Sequence, residues 1–120
     1  MNVIQQARQA YAPARPAVQT PRAIEAQLLT SITARLMQKA ASHSHYVRAV
    51  HENRTLWTTL AIDVADAENR LPRTLRAQIF YLAEFTQIHS QKFLKGEADL
   101  GPLVEVNTAI IRGLNSREAN

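Results

Sequence analysis

Few residues in this chain have the means for chemistry. His43 and His45 flank Ser44 in the stretch SHSH at 42–45, and paired histidines can begin a zinc site. Two residues apart on a helix, their imidazoles point in different directions. No carboxylate sits immediately beside them and the chain has no cysteine, so a tetrahedral ligand set does not assemble. GEAD at 96–99 gathers two acids without the ligand spacing of a calcium loop. A glycine-rich phosphate loop, HExxH and GxSxG are all missing. The expectation is a protein that is not an enzyme, with no metal, no cofactor and no small-molecule substrate.

Charge gathers at one place. Asp63, Asp66 and Glu68 precede the stretch Asn69-Arg70-Leu71-Pro72, and Arg70, Arg73 and Arg76 surround and follow it. If a helix ends and another begins there, each group is misplaced for its own helix dipole, with acids at a C-terminus and bases at an N-terminus. Across a tight turn the two groups are neighbours. They can clip the turn as a salt-bridge cluster, worth under about 1 kcal/mol per exposed pair. The other reading is that the arginines face an acidic protein or RNA phosphates.

The elements that position these residues are helical. Three glycines in 120 residues, among abundant Ala, Leu, Gln, Glu and Arg, favour helix throughout. YAPARPAVQTP at 11–21 holds three of the five prolines and reads as an extended linker. Thr20 as N-cap and Pro21 at the first helical position start a helix that runs to about Ala41, with Ile24, Leu28, Ile32 and Leu36 on one face. SHSH breaks it, and Ser44 is the expected cap of a second helix over about 45–67. At about 100° per residue, Ala49, Val50, Leu56, Trp57, Leu60 and Val64 share a broad apolar arc with Tyr46 and Ala61, and Asn53 lies near its middle.

Pro72 opens a third helix, which Gly96 stops. Leu75, Ile79, Leu82, His89 and Phe93 form its main stripe. Tyr81, Phe85 and Ile88 add a second stripe, more apolar surface than one neighbouring helix needs. Gly101-Pro102 opens a fourth helix that ends near Gly113, with Leu103, Val106, Ile110 and Leu114 on its face and Asn107 among them. The chain is an all-α protein, a small bundle of about four helices. Residues 1–19 form an N-terminal arm and linker, 20–115 the bundle, and 116–120 a C-terminal tail.

Trp57, the one tryptophan, is expected in the core, where its indole N–H needs an acceptor. Asn53, His89 and Asn107 each sit within the apolar face of a different helix. An unpaired buried amide costs about 1–3 kcal/mol. These three side chains therefore bond one another, the linker backbone or trapped water, or else one of them bonds the backbone of a bound peptide.

The balance of 14 basic to 10 acidic residues gives a net charge of +4, with the signs interspersed except in the first 22 residues, which carry Arg8, Arg15, Arg22 and no acid. MNVIQQARQAY lacks the apolar core of a signal peptide. The longest apolar run, IFYLA at 79–83, is far short of a membrane span. No membrane association is expected, and a cytoplasmic location is.

Thr20-Pro21-Arg22 with Glu25, Asn53 followed by Leu56-Trp57, Asp63, Leu71-Pro72, Leu75-Arg76-Ala77, Glu105-Val106-Asn107 and Gly113-Leu114 occur in that order. Together they resemble the FlaF family of flagellar biosynthesis proteins of alphaproteobacteria, over nearly the whole chain. Phe85 departs from the pattern, since many relatives carry tryptophan there. The resemblance implies a cytoplasmic, chaperone-like factor for flagellum biogenesis and cell motility. Such a factor binds flagellin and promotes its synthesis and secretion, beside the regulator FlbT. The expected client surface is Tyr81, Phe85 and Ile88, with Ile4 and Tyr11 on the arm able to cover it in the free protein. The competing reading is a post-transcriptional regulator of flagellin expression, acting through RNA or through a partner such as FlbT. Helices too long for an ordinary helix-turn-helix and the lack of an aromatic platform weigh against RNA.

Overall fold

A computed structural model describes residues 21–119, with side-chain surroundings for 25–113. Among these residues the chain forms four helices and no strand: α1 (Pro21–Met37), α2 (His43–Ala65), α3 (Arg73–Leu94) and α4 (Gly101–Ala119). Short connections make sequential helices antiparallel neighbours. The two closest packings are α2 along α3 and α1 along α4, while α1 with α2 and α3 with α4 close the ring. The all-α bundle expected from composition and periodicity is the observed architecture.

Local chemistry sets where each helix stops. α1 ends at Met37, short of the expected Ala41, because Ala40 turns to φ +59°, a left-handed conformation that costs a residue with a Cβ about 1–2 kcal/mol. Two side chains at the start of α2 satisfy the carbonyls this exposes. The His45 ring bonds the Arg35 carbonyl at 2.9 Å through Nε2, and the Tyr46 hydroxyl donates to the Gln38 carbonyl. The cap of α2 is Ser42, not Ser44: its Oγ accepts from the His45 backbone N–H at 3.1 Å. Pro72 is the N-cap of α3 and lies just outside the helix. At the other end Gly96, at φ +78°, closes a Schellman motif. Its N–H bonds the Phe93 carbonyl at 2.9 Å, and the Glu97 N–H bonds that of Lys92 at 2.8 Å.

α4 does not end near Gly113 but continues to Ala119, so residues 116–119 of the expected tail belong to it. One interior glycine costs about 1 kcal/mol relative to alanine, and no proline follows to enforce a stop. The Thr20 cap expected for α1 lies outside the described residues.

The core is built from Leu29, Ile32 and Leu36 of α1, Val50, Trp57 and Leu60 of α2, Ile79 of α3, and Leu103 and Ile110 of α4. α2 buries the arc read from its sequence, with Tyr46 and Ala61 half-exposed at its edges. In α1 the buried face is rotated from the expected one: Ala26, Leu29 and Thr33 are buried and Leu28 is only half-buried. α3 differs most. Its buried side is Ile79, Ala83, Thr86 and Ser90, a line of mostly small and polar residues, and Leu75, Leu82 and Phe93 pack at its margins.

Candidate functional site

At the centre of the bundle lies a polar network that joins three helices. Trp57 is fully buried, and its Nε1–H donates to Asn107 Oδ1 at 2.8 Å. Asn107 Nδ2 donates in turn to Asn53 Oδ1 at 2.8 Å and to Thr33 Oγ1 at 3.1 Å. The Thr33 hydroxyl donates to the Leu29 carbonyl at 2.6 Å. Asn107 is the hub, with α1, α2 and α4 tied through its one amide. The two asparagines expected inside apolar arcs thus bond each other, and together with Trp57 they fix helix register. His89 is not part of this network. It is partly exposed, stacks on Phe85 at 5.5 Å between ring centroids, and bonds the Asp99 carbonyl at 2.8 Å through Nε2. It ties α3 to the loop before α4.

The charged turn is also held differently from the expectation. No ion pair forms there among the described residues. Instead Arg76 reaches back across the turn and donates from Nε to the Val64 carbonyl at 2.9 Å and from an Nη to the Asp66 carbonyl at 2.8 Å. It places a positive charge on the open C-terminus of α2, where the helix dipole favours one. Asp66 Oδ1 accepts from the Glu68 N–H at 2.8 Å, and Asn69 Nδ2 donates to the Asp63 carbonyl at 3.0 Å. Both accepting carbonyls lie at the C-terminal end of α2, whose final carbonyls have no partner within the helix. Arg70 and Arg73 are exposed and unpaired among the described residues. Elsewhere an ion pair between Arg35 and Glu52 clips α1 to α2.

The remaining feature is apolar and faces outward. Tyr81 is 69% exposed and Ile88 55%, whereas Phe85 is half-buried against His89. Beside them the sequence missed Phe80 (46%) and Ile62 (67%), and on α1 the exposed Met37. At helical spacing Phe80, Tyr81, Glu84 and Ile88 share one face of α3. Beside that face, an open groove of about 270 Å³ runs between α2 and α3, lined by Thr58, Ala61, Ile62, Ala65, Phe80, Ala83, Glu84 and Gln87. Gln87 closes one end: it accepts from Arg54 Nε at 2.9 Å and donates to the Arg54 carbonyl at 3.1 Å. Glu84 has no partner among the described residues. Ile62 and Phe80 flank the groove, so the surface is an apolar strip with one unpaired carboxylate in its middle. The arm residues Ile4 and Tyr11 lie outside the described residues.

Comparison with known families now bears on this arrangement. The family model described as flagellar protein FlaF matches residues 7–114. This chain belongs to the FlaF family. No curated protein and no solved structure matches it significantly. In this FlaF protein several residues that carry the sequence resemblance have structural roles. Asn53, Trp57 and Asn107 build the buried network, Arg76 caps the turn, and Leu71 and Leu75 pack against the core. These six are residues of the fold, and none of them lies on the outward strip. No described helix is long and apolar enough to cross a membrane. The described histidines and acids form no group of three or more that could hold a metal ion.

Proposed function

We propose that this FlaF protein acts in the cytoplasm by binding flagellin before export, as a non-catalytic chaperone that promotes flagellin synthesis and secretion. The observation that carries this reading is the strip formed by Ile62, Phe80, Tyr81 and Ile88 beside the α2–α3 groove. The core is complete without these side chains, and a line of large apolar groups left in water marks an interaction surface. The groove walls span about two helical turns, roughly 10 Å, and so accept two apolar side chains from one turn-to-turn stripe of an amphipathic helix. Glu84 in the middle of the strip suits a basic residue on that helix. Flagellin termini are amphipathic segments of this kind, and helix-in-groove docking would shield them until release.

The deciding experiment is the affinity of monomeric flagellin for Phe80→Ser and Ile62→Ser. Ile62 is two-thirds exposed, so its replacement should leave stability within about 0.5 kcal/mol. Phe80, at 46% exposed, should cost about 1 kcal/mol, which leaves the fold intact. Affinity should fall at least about tenfold, as expected for loss of an interface anchor. Unchanged affinity in both variants would remove the groove from the account. The regulatory reading has its own support in the unpaired Arg70 and Arg73. Arg70→Ala with Arg73→Ala would reduce binding to RNA or to an acidic regulator, and would leave flagellin binding as it was.

A further inference from the structure

Beside the central network, three buried side-chain atoms have no hydrogen-bond partner among the described residues: Asn53 Nδ2 on α2, and Thr86 Oγ1 and Ser90 Oγ on α3. All three residues are completely enclosed. They also meet at one level of the bundle. Arg54 is bonded to Gln87 and Val64 to Arg76, so α2 and α3 run antiparallel in a fixed register that sets Asn53 opposite the α3 turn from Thr86 to Ser90. Those two residues, four apart, share one face of α3, and it is the buried one.

Thr86 is unusual among the helical threonines beyond a helix's first turn. Thr30, Thr33, Thr55, Thr58, Thr59 and Thr108 each donate their hydroxyl to the carbonyl four residues earlier. Thr86 makes no such bond, and neither does Ser90. Their hydroxyls are therefore available to a partner other than their own helix. An amide N–H and two hydroxyls, each a donor and an acceptor, complement a molecule with two donors and two acceptors. Leaving all three unpaired would cancel much of the stability of a domain this size. Buried waters in proteins typically make about three such bonds to otherwise unsatisfied groups.

We propose that Asn53, Thr86 and Ser90 form a closed internal site for one ordered water molecule. The water accepts from Asn53 Nδ2–H and is shared by the two hydroxyls. It thereby joins α3 to the Thr33–Asn53–Trp57–Asn107 network, which otherwise ties only α1, α2 and α4. The helix that carries Phe80, Tyr81 and Ile88 is thus coupled to the buried network through an exchangeable molecule. This inference does not depend on which client the outer surface binds.

The test is a water–protein Overhauser measurement on the isotope-labelled full chain. The wild-type Asn53 side-chain amide should show a cross-peak to water with the sign of a long-lived, rigidly held molecule. Thr86→Val with Ser90→Ala should abolish that cross-peak. The Trp57 indole N–H resonance, bonded to Asn107, should stay in place. A wild-type protein without the cross-peak would overturn the proposal, as would a cross-peak that survives in the double variant. Should the double variant not fold, a high-resolution crystal structure of the wild type decides. A water within hydrogen-bonding distance of all three atoms supports the site, and hydroxyls turned to the carbonyls of Leu82 and Thr86 refute it.

Discussion

Replacing Asn107 with leucine tests the centre of the fold. The two side chains are close in shape, so the change removes hydrogen bonds and leaves a filled space. Trp57 Nε1–H loses its only acceptor and Asn53 Oδ1 its donor, both at 2.8 Å in the wild type. Thr33 loses a donor but keeps its own bond to the Leu29 carbonyl. Two newly orphaned buried groups at about 1–3 kcal/mol each give an expected loss of about 2–6 kcal/mol. That is a large part of the roughly 5–15 kcal/mol typical of a domain. Urea unfolding is the assay, followed both by circular dichroism and by the fluorescence of Trp57, which is the sole tryptophan and sits at the mutated network. Adding Asn53→Leu removes one of the orphaned groups, so the double variant should be about 1–3 kcal/mol more stable than the sum of the single losses. Asn107→Leu within about 0.5 kcal/mol of wild type, or strictly additive losses, would refute the claim that this amide organises the bundle.

Further outcomes follow from the helix ends. Ala40→Gly should raise stability by about 0.5–1 kcal/mol, because glycine adopts the observed positive φ without a Cβ penalty; a lowered melting temperature would contradict it. Arg76→Ala should cost about 1–2 kcal/mol through its two lost carbonyl bonds, while Arg73→Ala should stay within about 0.5 kcal/mol. Equal losses from the two would mean that the turn is held by general charge and not by Arg76 as a cap. Deleting residues 1–18 should increase both flagellin affinity and dye binding by the free protein if the arm covers the client surface. No change in either would dismiss that role for Ile4 and Tyr11.

The sequence made α2 legible because its apolar positions form one dense arc and Asn53 stands out within it. α3 was not legible in the same way. Its buried side consists of Ile79, Ala83, Thr86 and Ser90, which carry little hydrophobic signal, whereas its large apolar residues lie at the margins or outside. Periodicity therefore assigned Leu75, Leu82 and Phe93 to the centre of the stripe. It also missed Phe80, although the run IFYLA contains more apolar side chains in succession than one helix face can bury. His89 fell in the apolar stripe by spacing alone, and a loop carbonyl rather than the core supplies its partner. The turn misled because charge pattern reveals proximity but not whether a carboxylate or a helix-end carbonyl wins the arginine. Ser42 and Ser44 differ only in where the backbone leaves its extended conformation, which residue type does not encode.

The most direct test of the central claim is calorimetric titration of the full chain with monomeric flagellin from the same organism, at two salt concentrations and at several temperatures. The account predicts saturable binding that persists at high salt with a negative heat-capacity change, the signature of apolar burial at the α2–α3 groove. No binding at either salt, or binding that collapses steeply as salt rises, would contradict it.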